Sequence, residues 1–418
     1  MSEILLSPLA QTLVIPNGAT ISNRVAKAAM EESIADRDFL PGDALFNLYG
    51  RWAHGGAGLL ITGNVMVDPN GVTGPGNVIA RDEGHLDRFQ RWAEIAQSAG
   101  SRLWMQINHP GRQMYAYLSE TPVAPSAVAV NIPGRLTAKQ FKTPRALTGD
   151  DIRKLIDRFV AAAVLAEKAG FHGVEVHSAH GYLLSQFLSP LANRREDEWG
   201  GPLENRSRML LEILKRIRSS VKKEFCVGVK LNSADFQAGG FGEEDAMNVV
   251  RMLNSTGIDL LEISGGNYES PAMLGGEKQG TRKREAYFLE FAAKAKKVAT
   301  MPLMSTGGFR SRSIMEEAIR SGAVDIVGLG APFALDPECA TKLLSGKTEK
   351  ATVEIPALSS PALNSIARMT AIRVQLRRMG KGKNPRLPFS LIWNLVSNQI
   401  QARRSATRYK KFLSNVRF

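Results

Sequence analysis

Eight short apolar runs recur along the chain, and a helical pattern of apolar residues follows each of them. The runs are Asn23–Met30, Gly58–Thr62, Arg102–Ile107, Gly173–His177, Cys226–Leu231, Asp259–Ser264, Pro302–Thr306 and Val324–Leu329. The helical segments are Asp43–His54, His85–Ala99, Thr148–Ala169, Leu203–Lys223, Glu243–Asn254, Arg284–Val298, Ser311–Arg320 and Pro337–Leu344. Strands that alternate with helices indicate a parallel sheet covered by helices. Eight such units in roughly 330 residues are typical of a (β/α)8 TIM barrel, an α/β fold.

The alternative that the same alternation allows is an open, doubly wound sheet. Its dinucleotide-binding form carries a Gly-x-Gly-x-x-Gly turn directly after a strand. No such turn follows any of the eight runs. The sequence therefore favours the barrel.

The cysteine content and the lack of long apolar segments indicate the cellular compartment of the protein. The two cysteines, Cys226 and Cys339, are far apart and form neither a metal-ligand spacing nor a disulfide framework. The chain starts without a basic segment followed by an apolar one, so no signal peptide is expected. No apolar run approaches the length that crosses a bilayer. We therefore expect a cytoplasmic protein with no metal site.

Polar side chains gather where the fourth apolar run ends. His177 closes this run, and His180 and Tyr182 follow within five residues. In a (β/α)8 barrel the active site lies at the carboxyl ends of the strands. Two imidazoles and a phenol placed there can hold a carbonyl oxygen and deliver a proton.

Other strand ends add groups of complementary chemistry. Gln106 ends the third run with an amide that both donates and accepts hydrogen bonds, and Lys230 gives the fifth run a cation. Thr306, Gly307 and Gly308 follow the seventh run, and Gly330 follows the eighth. Glycines after the last two strands open the loops where barrels commonly bind phosphate. Each glycine taken alone is equally well explained as ordinary turn chemistry.

The segments Gly173–Leu184, Ser185–Arg195 and Asp197–Arg206 resemble the signature of the Old Yellow Enzyme family of FMN-dependent oxidoreductases. Gln106–Arg112 resembles the third-strand motif of the same family, and the resemblance extends over about residues 3 to 345. It implies a barrel that binds FMN and takes hydride from NADH or NADPH. It also implies that the hydride passes to an electron-poor alkene, conjugated to a carbonyl or nitro group.

The resemblance assigns roles to individual residues. It implies that His177 and His180 bind the activating oxygen of the substrate and that Tyr182 donates the proton. The residues that it places against FMN are Ala28, Ala29, Met30, Glu31, Asn64, Gln106, His177, Lys230, Thr306, Gly307, Gly308, Gly330 and Ala331. In this assignment Gln106 holds the flavin pyrimidine, and the backbone at Ala28 and Met30 touches the ring.

The chain departs from the family pattern at several flavin-facing positions. Lys230 stands where arginine is usual, which keeps the charge but loses the bidentate fork. The other departures are Ala29 for proline, Glu31 for threonine or cysteine, Asn64 for a small residue, and Ala331 for an arginine that pairs with phosphate. Arg310 or Arg312 is expected to replace the missing arginine.

Three functions are compatible with these features. The leading hypothesis is an NAD(P)H-dependent FMN ene-reductase that acts on a small-molecule alkene. The second is a dienoyl-CoA-reductase-like enzyme, although two isolated cysteines cannot ligate the iron–sulfur cluster that such relatives carry. The third is a barrel that binds flavin or another ligand with little turnover. The departures from the family pattern at Glu31, Lys230 and Ala331 favour this third function.

The surplus positive charge lies in the C-terminal part of the chain. The net charge of the chain is +14. After Glu354 there are thirteen Lys and Arg residues and no Asp or Glu. We therefore divide the chain into a barrel, residues 1–345, and a basic helical extension, residues 346–418. A helix is expected over Ser365–Met379, and an apolar segment over Phe389–Val396.

Three roles are open for this extension. It covers the barrel or a neighbouring subunit of a homo-oligomer, or it contacts an anionic membrane surface through Trp393 and its basic flanks. Nucleic-acid binding has the least support, because no recognised motif accompanies the charge.

Overall fold

Eight parallel strands close into a barrel in the computed structural model, which describes residues 7–119, 121–132, 140–266, 269, 289–351, 355, 361–386 and 390–415. The strands are β1 Val25–Lys27, β2 Leu59–Ile61, β3 Arg102–Asn108, β4 Gly173–Ser178, β5 Cys226–Asn232, β6 Leu260–Ser264, β7 Leu303–Thr306 and β8 Ile326–Leu329. Each pairs in parallel with the next, and β8 pairs with β1. The predicted (β/α)8 barrel is confirmed.

Helices follow the strands in the predicted order. They are α1 Asp43–Ala53, α2 Leu86–Gln97, α3 Gly149–Lys168, α4 Leu183–Leu188, α5 Leu203–Ser220, α6 Glu243–Leu253, α7 over residues 289–296, α8 Arg312–Arg320, α9 Ala331–Leu335 and α10 Cys339–Leu344. The predicted start of the seventh helix at Arg284 lies outside the described residues. A capping box between Thr148 and Asp151 begins α3, since each side chain bonds the other residue's backbone N–H.

Some elements differ from the sequence prediction. The first strand is only three residues long: Val25–Lys27 pair with β8, and of these only Ala26 and Lys27 also pair with β2. Two short strands, Val65–Met66 and Val78–Ile79, extend the sheet beside β3. The sequence analysis also missed α4 and α9, which are too short to show a helical period.

A tryptophan fills the barrel beneath the carboxyl ends of its strands. Trp104 of β3 is 1% exposed and belongs to an apolar cluster formed by inward-facing residues of several strands. A Cβ on Gly228 of β5 would lie 2.6 Å from the Trp104 ring, so only glycine leaves room for it. The interior is therefore a packed core, and chemistry is confined to the layer above it.

The strand register aligns the polar residues of that layer. Gln106 of β3 lies beside Glu175 of β4, and His177 of β4 lies beside Lys230 of β5. Lys230 in turn lies beside Glu262 of β6. Because register partners point to the same face of a sheet, these five side chains converge inside the barrel.

Two further helices form the C-terminal extension and pack on the barrel. They are α11 Pro361–Gly380 and α12 Leu391–Asn415. Leu376 and Met379 of α11 join the main apolar core, and Asn47 Nδ2 of α1 donates to the Gly380 carbonyl at 3.0 Å. The Tyr409 hydroxyl of α12 donates to the Pro69 carbonyl at 2.6 Å.

The extension thus covers one side of the barrel within the same chain. Its predicted basic and apolar segments fall on one continuous helix, α12, although Phe389 and residues 416–418 lie outside the described residues. The division at residue 345 stays a prediction. Among the described helices, none has the length and apolar character that a membrane span requires.

Candidate active site

The three predicted catalytic side chains form one cluster above β4. The ring centroid of His177 lies 5.0 Å from that of His180 and 5.0 Å from that of Tyr182, and both pairs meet nearly at right angles. His180 has a φ of 63°, a left-handed conformation that turns the chain back over the strand end. His177 and Tyr182 are buried, and His180 is half-buried. The structure therefore brings together what the sequence motif placed within six residues.

The protonation of His177 follows from its surroundings. Burial, and then the neighbouring His180 and Lys230, hold the pKa of His177 well below its usual range. The ring is therefore neutral near pH 7. Its Nδ1 accepts a hydrogen bond from the Ala179 N–H at 3.2 Å, so the single ring proton lies on Nε2. His177 can thus donate one hydrogen bond to a substrate oxygen.

Residues at the ends of β5 and β6 hold His180 in place through hydrogen bonds. Burial, and then Lys230, lower the pKa of His180 to about 3. Its Nε2 lies 2.7 Å from the Ser264 hydroxyl at the end of β6, and its backbone N–H donates to Asn232 Oδ1 at the end of β5. When Ser264 donates to Nε2, the ring proton lies on Nδ1 and that nitrogen is a donor. Both imidazoles are then neutral donors.

Phenols place an oxyanion between two imidazoles of this kind, and we expect Ser264→Ala to weaken their binding about fivefold. The reason is the loss of roughly 1 kcal/mol of hydrogen bonding that sets the His180 tautomer. Ligand titration of the flavin absorbance measures this. Ser264→Thr, which keeps the hydroxyl, should restore the affinity, and the melting temperature of both variants should stay near wild type. Equal affinities of the alanine and wild-type proteins would exclude this positioning role for Ser264.

Two glutamines that the sequence analysis did not identify hold the loop carrying His180. Gln113 Nε2 donates to the His180 carbonyl at 2.9 Å. Gln186 Nε2 donates to the Gly181 carbonyl at 2.7 Å and to the Pro110 carbonyl at 3.0 Å. The loops after β3 and β4 are therefore joined into one unit. For Gln186 the signal in the sequence was an uncharged polar residue between the apolar residues of the Leu183–Leu188 segment.

A buried layer of charge lies beneath the histidines. Lys230 Nζ is 2.7 Å from Glu262 Oε1, and the two side chains are 3% and 0% exposed. Burial opposes the charge of Lys230, but Glu262 and Glu175 outweigh it and raise the pKa of Lys230. Burial likewise opposes the charge of Glu262, yet Lys230 lowers its pKa. Lys230 and Glu262 thus form an ion pair at neutral pH.

Glu175 lies beside this ion pair, where its surroundings favour the protonated form of its carboxyl group. Burial, and then the negative charge of Glu262, raise the pKa of Glu175 well above its usual range. Gln106 Nε2 donates to Glu175 Oε2 at 2.6 Å. This bond fixes the orientation of the Gln106 amide, whose carbonyl oxygen and second N–H remain for a ligand. The sequence analysis overlooked Glu175 and Glu262, although a carboxylate within a buried apolar strand was a visible signal.

The segment after β1 bears Ala28, Ala29, Met30 and Glu31. Arg373 of α11 forms an ion pair with Glu31, with its Nη2 2.9 Å from Glu31 Oε2. Thr73 also bonds this carboxylate, at 3.2 Å. Glu31 was expected beside the flavin, and its partner Arg373 was not predicted from the sequence. The ion pair offsets the negative charge that Glu31 brings to this strand end.

The predicted phosphate loops have the required glycine conformations. Gly307 and Gly308 follow β7 with φ of 129° and 83°, where other residues are strained. Gly330 precedes α9, and a Cβ there would contact the Met30 side chain at 3.5 Å, so this strand end adjoins β1. Arg312 forms ion pairs with Glu316 and Glu349. The expected contact of Arg310 or Arg312 with the phosphate stays a prediction.

These residues suit an isoalloxazine with a phosphate tail. Lys230 is a buried cation, and Gln106 offers an amide to the pyrimidine edge. Asn64, at the end of β2, has a buried Oδ1 with no hydrogen-bond partner in the described part of the chain. A buried acceptor of this kind calls for a donor from a ligand. Within the described ranges no cluster of potential metal ligands occurs, and both cysteines are buried.

Comparisons with known proteins agree with this geometry. Residues 9–350 match the model of the NADH:flavin oxidoreductase / NADH oxidase family. An NADH-dependent flavin oxidoreductase of Hypocrea jecorina (strain QM6a) is 38% identical over 386 residues, covering 86% of this chain and 95% of that protein.

Solved structures share the architecture. A 2-naphthoyl-CoA reductase in complex with 2-naphthoyl-CoA has a TM-score of 0.75 and 28% identity over 82% of this chain. This chain spans only 53% of that reductase. An old yellow enzyme homologue of Zymomonas mobilis has a TM-score of 0.70 and 24% identity, covering 85% of this chain and 98% of the homologue. At that identity the likeness concerns the fold alone.

Proposed function

Because this chain belongs to the NADH:flavin oxidoreductase / NADH oxidase family, we propose that it reduces electron-poor alkenes, conjugated to a carbonyl or nitro group, with electrons from NADH or NADPH. The resemblance found in the sequence is confirmed, and with it FMN as the cofactor. FMN-dependent oxidoreduction is common to the family, whereas the alkene substrate is our proposal.

The pairing of two neutral imidazole donors with a phenol carries this proposal. His177 donates through Nε2, and His180 donates through Nδ1 when Ser264 fills its Nε2. Two donors that converge on one oxygen stabilise the negative charge that develops there during conjugate reduction. Neutral donors suit this task, because a substrate oxygen then gains hydrogen bonds without being protonated in the ground state.

Tyr182 is the proposed proton donor. Its ring stands perpendicular to His177 at a centroid distance of 5.0 Å, beside the position of the activated oxygen. FMN, when bound, would supply the hydride chemistry that connects the nicotinamide with the β-carbon of the alkene. The Tyr182 hydroxyl then gives its proton to the α-carbon, and solvent returns a proton to the phenolate. One alkene, one NAD(P)H and one proton are consumed for each saturated product.

The remaining strand-end residues are the proposed FMN contacts. Lys230 supplies positive charge where the reduced ring becomes anionic, and Gln106, fixed by Glu175, offers its amide to the pyrimidine. The backbone at Gly307, Gly308 and Gly330 is the proposed phosphate site. The other proposed contacts are Ala28, Ala29, Met30, Glu31, Asn64, His177, Thr306 and Ala331.

The test is anaerobic turnover by the purified protein with 2-cyclohexenone. We expect heat to release FMN, NADH or NADPH to bleach the flavin, and the alkene to restore its colour with one cyclohexanone formed per nicotinamide oxidised. Chromatography and flavin absorbance measure these outcomes. Oxygen as a control acceptor should also restore the colour.

Two results would contradict the proposal. Recolouring by oxygen but not by a panel of enones and nitroalkenes would indicate an NADH oxidase without ene-reductase activity. A flavin that NAD(P)H fails to bleach would indicate a ligand-binding barrel. Self-association, cytoplasmic location and contact with an anionic membrane surface likewise stay proposals.

A further inference from the structure

Helix α12 exposes an apolar stripe on one side. Trp393, Val396 and Ile400 are 68%, 45% and 47% exposed, and their spacing of three and four residues places them on one face. The opposite face carries the buried Asn394 and Tyr409. The described part of the chain therefore leaves this stripe uncovered.

Cations continue the same face toward the C-terminal end of α12. Arg404, Arg408 and Lys411 are all exposed, and at 3.6 residues per turn they lie within about 60° of the direction of Trp393. Within the described residues, none of the three forms an ion pair with a carboxylate. No Asp or Glu follows Glu354 in the sequence. We call these six side chains the α12 face.

We propose that the α12 face binds the surface of an anionic lipid membrane. Trp393, Val396 and Ile400 enter the headgroup boundary, where an indole with an apolar body and a polar N–H is well accommodated. Arg404, Arg408 and Lys411 contact the anionic headgroups. The helix lies along the membrane, since its opposite face stays packed on the barrel.

The shape and charge of the face favour lipid over a second copy of the chain. From Trp393 to Lys411 the face extends about 27 Å along one straight helix, as a flat surface requires. A two-fold interface brings the same patch of each subunit together. It would place cations of one copy near those of the other or against its apolar stripe, and both arrangements are unfavourable.

Nucleic acid fits less well for a different reason. Phosphate contacts are made by cations and polar groups, and they account for most nonspecific binding. The three apolar side chains at the other end of the face would have no partner in a phosphate backbone. Lipid gives a partner to both ends of the face.

The test uses the full-length, flavin-loaded protein and sedimented vesicles. We expect at least tenfold more protein bound to vesicles of phosphatidylcholine mixed with phosphatidylserine than to vesicles of phosphatidylcholine alone. Raising the salt from roughly 0.05 M to 0.5 M should lower this binding severalfold, because salt screens exposed charges. Equal binding to both vesicle types, or no binding, would overturn the proposal.

Tryptophan fluorescence locates the contact. The other four tryptophans, Trp52, Trp92, Trp104 and Trp199, are at most 3% exposed. Brominated lipids in the anionic vesicles should therefore quench only the emission of Trp393, and Trp393→Phe should remove the quenched component. Unquenched emission from bound protein would place the contact elsewhere and overturn the assignment.

Matched variants separate the two parts of the face. The apolar double variant combines Trp393→Ser with Ile400→Ser, and the cation double variant combines Arg404→Gln with Lys411→Gln. Each double variant should reduce vesicle binding at least fivefold. Val14→Ser and Arg37→Gln, which remove an exposed apolar residue and an exposed cation elsewhere, should leave it unchanged. Flavin content should be equal in all variants.

Other occupants give distinct results. A concentration-dependent dimer in light scattering that the serine variants abolish, without vesicle binding, would identify a second copy. Retention on duplex DNA that only the glutamine variants abolish would identify nucleic acid. Either result would overturn the proposal.

Discussion

Lys230→Met is expected to lower the free energy of unfolding by about 3–5 kcal/mol, because it leaves the buried carboxylate of Glu262 without its cation. The ion pair is enclosed, with side-chain exposures of 3% and 0%, so water cannot replace the lost partner. Chemical denaturation of the two proteins at pH 7 measures the difference. An effect below about 1 kcal/mol, the value of a surface ion pair, would show that solvent reaches Glu262.

The same variant should acquire a distinctive pH dependence. In the wild type, burial opposes the charge of Glu262 but Lys230 lowers its pKa below the ordinary 4.5, so the pair stabilises the fold above that pH. In the variant, the hydrogen bonds of Glu262 to Glu175 and Thr306 remain, but we expect burial to outweigh them and to raise the pKa of Glu262 above 4.5. The folded state then keeps a proton that the unfolded state releases. The stability of the variant should therefore fall as the pH rises from about 4.5, while that of the wild type does not.

Two control variants separate charge from packing. Lys230→Arg keeps the cation and should retain most of the stability and the FMN content. The double variant Lys230→Met, Glu262→Met replaces the pair by apolar side chains and should recover much of the loss, since apolar replacement of a buried pair is often nearly neutral. FMN affinity should fall in both methionine variants, because each lacks the cation proposed to lie near the flavin. FMN affinity equal to wild type would remove Lys230 from the cofactor site.

The fold was predictable because its information is local. Each strand is a short apolar run and each helix repeats apolar residues at helical spacing, so the eightfold count followed from pattern alone. The predicted helical segment Thr148–Ala169 agrees with α3 to within one residue at each end, since Thr148 is the N-cap and Ala169 the C-cap. The two helices that were not predicted, α4 and α9, have six and five residues. A segment of one or two turns does not establish a period.

The proposed catalytic side chains were easiest to find where they are neighbours in sequence. His177, His180 and Tyr182 lie within one motif, and the structure places their rings in contact. Ser264 acts on His180 from 84 residues away, and Arg373 reaches Glu31 from 342 residues away. Strand register and helix docking bring such partners together, and neither could be predicted from the local sequence pattern.

The hydrogen-bond partners also decide chemical questions that residue identity leaves open. A histidine at a strand end is compatible with a cation, a donor or an acceptor. The Ala179 N–H on Nδ1, together with burial, makes His177 a neutral donor. Burial and Glu262 raise the pKa of Glu175 and favour its protonated form, and the hydrogen bond from Gln106 then orients the Gln106 amide.

Tyr182→Phe is expected to slow alkene reduction about 10²–10⁴-fold, the usual contribution of a positioned general acid. Reduction of the flavin by NADH or NADPH should stay within about twofold of wild type, because no proton is required at the α-carbon in that half-reaction. Phenylalanine keeps the ring that packs perpendicular to His177, so the cluster geometry is preserved. Stopped-flow absorbance of the flavin follows the two half-reactions separately.

The control for this variant is Tyr117→Phe, which removes a phenol at a 43% exposed position outside the histidine cluster. It should leave both half-reactions unchanged. Losses of similar size in both half-reactions of Tyr182→Phe would instead mean that the hydroxyl supports the structure of the site. Because His177 and His180 still hold the substrate oxygen in this variant, the affinity for phenols should persist. A large fall in that affinity would assign Tyr182 to substrate binding, whereas its persistence together with slow alkene reduction is the outcome that proton donation requires.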